Sequence, residues 1–221
     1  MNYLTHQLLN AEEINLIKKE LDEATQDWED GKKTAGKHAA EVKSNLQFKR
    51  DSPLSKKFSG KIIEKILSND LIKSFALPKK VHGTIFSKST SGMKYGRHID
   101  NAFMSSGRAD LSFTIFLNSK DEYKGGELSI ESLNLDEKFK LNAGEIIIYP
   151  STYLHSVEEV IEGERLVFIG WIESYIKSIE EREYLFDLDA AARSLLSKYG
   201  RSVEVDLIFK SYSNFLRRLG S

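Results

Sequence analysis

The chain contains no cysteine. Disulfide frameworks, thiolate-bound zinc and cysteine nucleophiles are therefore excluded, and any metal must be held through nitrogen and oxygen. Charge of one sign is also missing. The 32 Lys and Arg stand against 33 Asp and Glu, so there is no global basic footprint of the kind that neutralises phosphates, and nucleic acid is a poor partner. No stretch approaches the roughly 18 apolar residues of a membrane span. The start, MNYLTHQLLNAEE, lacks the basic region and apolar run of a secretory signal. Internal repeats, low-complexity tracts and linkers are absent as well. Together these absences predict a soluble, unexported, cytoplasmic protein. A length of 221 residues with 40% hydrophobic content suits one well-cored unit with helical additions.

What is present divides into three parts: a helical front (1–79), a strand-rich middle (80–174) and a helical tail (175–221). Asn10 with Glu13 resembles a capping box, and Ile14, Ile17 and Leu21 follow at helical spacing. In SPLSKKFSGKIIEKIL, Ser52 is placed to cap, Pro53 to occupy the first helical position, and Leu54, Phe58, Ile62 and Ile66 to form an apolar face. From Val81 the pattern changes to short β-branched and aromatic runs: VHGTIF, DLSFTIFL, GELSIES, GEIIIYP, HSVEEVI and RLVFIGWI. Such runs, without intervening helices, predict an antiparallel sandwich or barrel. SIEEREYLFDLDAAARSLLSKYG and SVEVDLIFKSYSNFLRRLG then read as two amphipathic helices, the second stopping at Gly220.

The chemistry starts at YGRHIDNA, residues 95–102. Residues two apart share a face of an extended strand, so His98 and Asp100 can converge on one ion. A polar loop pair explains the same letters, and the motif alone does not choose. A facial iron site needs two imidazoles and one carboxylate. Of the other histidines, His6, His38, His82 and His155, only His82 and His155 fall in the strand-rich region, and His155, after the buried-looking GEIIIYP strand and its proline turn, is the better placed. Arg165 opens a run that is otherwise apolar on both faces. It needs an anionic partner there: either a ligand, or Glu164 or Glu162 beside it at an exposed strand end.

With these residues the chain resembles the iron(II) and 2-oxoglutarate-dependent dioxygenases. Within them, WEDGKKTAGKHAAEVKSN, GMKYGRHIDNAFM, RADLSFTIFLNSKDEYKGGELSIE, LNAGEIIIYPSTYLHSV and FIGWIESYI are similar to the PKHD-type hydroxylases, related to prolyl and lysyl hydroxylases. The similarity runs from Trp28 to Asp189. It implies an α+β fold, an antiparallel double-stranded β-helix (jelly-roll) core flanked by N-terminal and C-terminal helices. It also implies Fe(2+) on His98, Asp100 and His155, with Arg165 anchoring the distal carboxylate of 2-oxoglutarate. By the same resemblance, Tyr95 contacts the cosubstrate, with packing beside the strand as the alternative.

The implied reaction consumes 2-oxoglutarate and O2, with L-ascorbate as reductant, and hydroxylates a C–H bond of an amino-acid side chain in a protein, peptide or free amino acid, releasing succinate and CO2. Asp100 fills the place that related halogenases leave to chloride. Trp171 stands where nucleic-acid demethylases carry a second arginine. Against the enzyme stand a non-catalytic cupin-like binding module and a pseudo-enzyme whose helices mediate dimerisation, and a homo-oligomer stays open. Arg97, Asn101 and Trp171 are candidates for the substrate mouth, with a solvated arginine, a turn asparagine and a core tryptophan as the plainer alternatives. Gly125 and Gly126 read as a bend that lets strands close round the core. His38 reads as a surface residue in a candidate lid.

Overall fold

Asn10 fixes where the first helix starts: its Oδ1 accepts from the Glu13 N–H at 2.9 Å, and its own N–H donates back to the Glu13 carboxylate at 3.0 Å. Both sides of the capping box are therefore made. The computed structural model describes residues 3–34, 41–131 and 136–221, so His38 and the proposed lid around it lie outside the described residues. The front runs β1 (Leu4–Gln7), α1 (Ala11–Glu23), β2 (Trp28–Asp30), β3 (Leu46–Phe48), α2 (Pro53–Ser68) and α3 (Asp70–Ala76). Ser52 caps α2 by accepting from Ser55 N–H at 3.1 Å, with Pro53 at the first position, where its missing N–H costs nothing. The front is thus not purely helical, because three of its segments are strands of the main sheet.

The middle contains β4 (Pro78–Thr90), β5 (Tyr95–His98), β6 (Phe103–Met104), β7 (Gly107–Arg108), β8 (Leu111–Phe116), β9 (Tyr123–Gly125), β10 (Leu128–Ile130), β11 (Glu137–Phe139), β12 (Glu145–Pro150), β13 (His155–Val157) and β14 (Val160–Ser174). Two of these are long, 13 residues in β4 and 15 in β14, where the sequence pattern gave only short runs. HSVEEVI, read as one strand, divides: β13 ends at Val157, and Val160 begins β14 in the other sheet. Two helices close the chain, α4 (Ile179–Tyr199) and α5 (Val203–Leu219).

Among the described residues the strands form an eight-stranded antiparallel sheet, β1-β12-β8-β14-β4-β3-β2 with β9 added to β14, and a four-stranded sheet, β11-β10-β13-β5. Strand alternation gives the large sheet two faces. Leu111, Phe113, Ile115, Ile146, Ile148 and Phe168 pack on Ile14, Ile17 and Leu21 of α1 and Phe58, Ile62 and Ile66 of α2. The residues between them, including Phe116, Ile147, Tyr149 and Val167, meet Leu128, Ile130 and Phe139 of the small sheet. Toward the other end, the same inward face carries Ser112, Thr114, Arg165 and Trp171 and opens into a cavity. No helix among the described residues is long and apolar enough to cross a membrane.

Candidate metal centre and its cavity

β5 and β13 are antiparallel neighbours with His98 directly opposite His155. Directly opposed residues on one face hold their side chains within contact distance, so strand pairing alone brings the imidazoles together; their ring centroids are 4.2 Å apart. Asp100 lies two residues beyond His98, on the same face. One ligand atom from each of His98, Asp100 and His155 falls within 4.8 Å of the others.

Hydrogen bonds decide which imidazole nitrogen faces the centre. His98 Nδ1 lies 2.8 Å from the Gly96 carbonyl and His155 Nδ1 lies 3.0 Å from the Tyr153 carbonyl. A carbonyl only accepts, so each Nδ1 carries the proton and each Nε2 keeps its lone pair for a metal. Burial and the neighbouring His155 pull the His98 imidazole down to about 4, which keeps it neutral and able to ligate. Asp100 Oδ2 accepts from Ser112 Oγ at 2.6 Å and from the Trp171 indole N–H at 2.8 Å. Ser112 has one proton to give, so in its 2.7 Å contact with Ser151 the buried Ser151 is the donor. This donor set fits a borderline divalent ion that takes two neutral imidazoles and a carboxylate.

His82 is not part of the centre. Its Nε2 donates to the Arg108 carbonyl at 2.8 Å, and its Nδ1 accepts from Ser106 at 2.9 Å, so both nitrogens are used. His6 sits on the edge strand β1, where its Nε2 accepts from the Asn69 amide at 3.0 Å.

Arg165 faces the same cavity and is only 3% exposed. It makes no ion pair among the described residues. Glu164 pairs with Lys88 and Glu162 with Lys124, so the exposed, glutamate-paired alternative does not hold. The Arg165 guanidinium lies 5.5 Å from the Phe116 ring centroid, and its Nε has no hydrogen-bond partner. The buried Tyr123 hydroxyl nearby is unpartnered too. Burial lowers the guanidinium pKa, with the phenols of Tyr123 and Tyr149 opposing the shift. A buried cation with unmet donors is a receptor for an anion.

Tyr95 stacks on His98 at 3.6 Å between ring centroids. Burial raises its phenol pKa. The cavity, about 760 Å³, is also lined by Asn101 and Arg97 at its rim, and Arg97 is held by Glu131. Trp171, a candidate for the substrate mouth with a core tryptophan as the plainer alternative, lines the cavity and donates to Asp100. Ser112, Ser151 and Tyr149 were missed by sequence reasoning. The period-2 alternation of SFT and IIIYP could have placed Ser112 and Tyr149 on the inward face. Gly125 and Gly126 have φ of 71° and 68° and turn the chain from β9, on the large sheet, to β10, on the small one.

Two sheets enclosing a two-imidazole, one-carboxylate cluster, with a buried arginine in the same cavity, define a double-stranded β-helix oxygenase. The family model of the 2OG-Fe(II) oxygenase superfamily matches residues 84–173. A PKHD-type hydroxylase from Prochlorococcus marinus (strain MIT 9215) is 74% identical over the full length of both chains, and one from strain MIT 9301 is 71% identical, again over both full lengths. The chain belongs to the PKHD-type hydroxylases. In fold it is similar to a Pseudomonas putida prolyl-4-hydroxylase, with a TM-score of 0.56 at 16% identity over 78% of this chain and 92% of that one. It is also similar to a Trichoplax adhaerens prolyl hydroxylase solved with a hypoxia inducible factor peptide fragment, with a TM-score of 0.59 at 13% identity over 83% and 86%. The protein is therefore an oxidoreductase, a dioxygenase-type hydroxylase whose family implies Fe(2+), 2-oxoglutarate and O2.

Proposed function

We infer that His98, Asp100 and His155 hold the Fe(2+), that Arg165 receives the distal carboxylate of 2-oxoglutarate, and that Tyr95 walls the cosubstrate against His98. The protein hydroxylates a C–H bond of an amino-acid side chain in a protein, peptide or free amino acid. In the balanced reaction, one oxygen atom of O2 enters the substrate as hydroxyl and the other enters succinate as 2-oxoglutarate loses CO2. L-Ascorbate serves as the reductant that sustains turnover. The iron supplies the oxygen chemistry.

The chain's own residues bind and orient. Each imidazole is fixed by a backbone carbonyl, which leaves Nε2 for the ion. Asp100 is held by Ser112 and Trp171 through Oδ2, the oxygen 3.9 Å from His155 Nε2, which fixes the carboxylate beside the two imidazoles. Arginine suits the far end of the cosubstrate because its planar fork makes two parallel charge-assisted bonds to a carboxylate. The observation that carries the reading is Arg165 itself: a buried guanidinium, unpaired among the described residues, in the cavity that holds the cluster.

Purified protein with Fe(2+) and ascorbate is expected to convert 2-oxoglutarate to succinate slowly without substrate. A panel of amino acids and proline-containing peptides should contain members that raise the rate and gain the mass of one oxygen. His155→Ala should abolish iron binding, and Arg165→Ala should raise the KM for 2-oxoglutarate at least about tenfold, the loss of a charge-assisted pair. Absence of succinate under all these conditions would sink the reading.

A further inference from the structure

We propose that the outward face of α5 pairs with the same face of a second copy of this chain, the two helices running antiparallel about a twofold axis at Ser211. The inference goes beyond the enzyme reading and does not depend on it.

The face comes from helical register. Positions four and seven residues apart share one side of a helix. Leu207 and Phe215 lie four residues to either side of Ser211, and Glu204 and Arg218 lie seven to either side, so all five fall on one stripe. All five are exposed, Leu207 at 53% and Phe215 at 46%. A different side of the helix is already used: the buried Val205 and the half-buried Phe209, Tyr212 and Leu216 pack on α4.

The stripe is a defined surface, because α5 is tied down at both ends. Ser202 caps its start by accepting from the Val205 N–H at 3.3 Å, and beyond its end the Ser221 N–H donates to the Tyr175 carbonyl at 2.9 Å. α4 in turn stands on α3: the Phe186 and Phe75 ring centroids are 5.9 Å apart, and Asp189 accepts from Ser74 Oγ at 2.7 Å. The helical pair therefore lies on the outer side of the large sheet, and pairing there leaves the cavity on the inner side open.

Charge selects the occupant. A twofold axis at Ser211 sets positions equally far from it, on opposite sides, against one another. Leu207 of each copy then meets Phe215 of the other, and Glu204 of each meets Arg218 of the other. The short Ser211 side chain at the crossing lets the helices approach closely. Asp206 is already paired with Arg201, and Arg217 donates to Asn214, whereas Glu204 and Arg218 make no ion pair among the described residues. An acidic first turn and a basic last turn suit the dipole of any helix, but that account leaves Leu207 and Phe215 in water between them. Parallel pairing would set Glu204 on Glu204. An anionic lipid surface draws basic residues along the whole polar face rather than a change of sign from end to end.

The test is sedimentation equilibrium of the full chain at about 100 μM, where a micromolar association is populated. The expected mass is twice that of the chain. Leu207→Glu and Phe215→Glu, at positions already in water, should each weaken the dimer at least about tenfold. Glu204→Arg and Arg218→Glu each set like charges together twice and should weaken it by about tenfold as well. An equal mixture of those two variants restores both opposite-charge pairs and should sediment as a heterodimer, which neither could do if its α5 were unfolded. A single chain at this concentration, a dimer unmoved by either the apolar or the charged substitutions, or a mixture no tighter than its components would overturn the proposal. So would a single chain that instead binds phosphatidylserine vesicles, which would give the stripe to a lipid surface.

Discussion

Asp100 is held at one oxygen only. Ser112 and Trp171 both donate to Oδ2, which fixes the carboxylate plane and leaves Oδ1 without a protein donor among the described residues. Partners of this kind commonly affect metal affinity by about 10–100-fold. Trp171→Phe keeps the ring and removes the donor, so a chelator-competition titration should show Fe(2+) affinity falling by about tenfold or more; unchanged affinity would mean the indole does not orient the ligand. His155 could be singled out in the sequence because it stands alone at the turn between two apolar runs; it is the histidine that lies opposite His98, whereas both nitrogens of His82 are occupied. Arg165 was legible only as a charge needing an anion, because the letters cannot say that Glu164 and Glu162 turn to lysines instead. The letters left Trp171 between mouth and core for a related reason: alternation assigns a face to a side chain, not the empty space in front of it.

At the scale of elements, the site depends on a corner. Gly125 and Gly126 carry the chain from β9 to β10 with positive φ, and a Cβ on Gly126 would lie 3.1 Å from Arg165 Cδ. Gly126→Ala should therefore cost about 1–2 kcal/mol in urea unfolding, the usual penalty for a left-handed alanine, and also raise the KM for 2-oxoglutarate by displacing Arg165. A stability loss with unchanged KM would separate the corner from the anchor. Gly60 makes the contrasting case. It lies inside α2 with nothing within 4 Å of an added Cβ, and Gly60→Ala should stabilise by about 0.5–1 kcal/mol. The capping box of α1, the Ser52 cap and the Gly220 stop were all readable because they are local. The lengths of β4 and β14 were not. Their polar ends are kept extended by partner strands, and β-propensity depends on such neighbours.

At the scale of the whole molecule, the large sheet separates two jobs. Its outer face buries α1, α2 and α3 in the main core, and its inner face meets the small sheet and carries the cavity. α5 stands apart from both, with only Val205 buried and with Val203, Leu207 and Phe215 exposed. A chain ending at Gly200 should therefore keep Fe(2+) and 2-oxoglutarate binding and lose only a few degrees of Tm; loss of binding would give α5 a part in shaping the site. The jelly-roll class was legible from the run of strands and from the resemblance. The placement of β1 against β12 was not, because that pairing joins Leu4 to Ile148 across most of the chain and no local pattern encodes it.

The central claim, that His98, Asp100, His155 and Arg165 form one iron and 2-oxoglutarate site, meets its most direct test in an anaerobic titration of the Fe(2+)-loaded protein with 2-oxoglutarate, followed by visible charge-transfer absorption. The expected result is a saturable band in the unaltered protein, no band in His155→Ala, and a band in Arg165→Ala that needs at least about tenfold more 2-oxoglutarate. No band in the unaltered protein, or an Arg165→Ala titration that overlays it, would contradict the account.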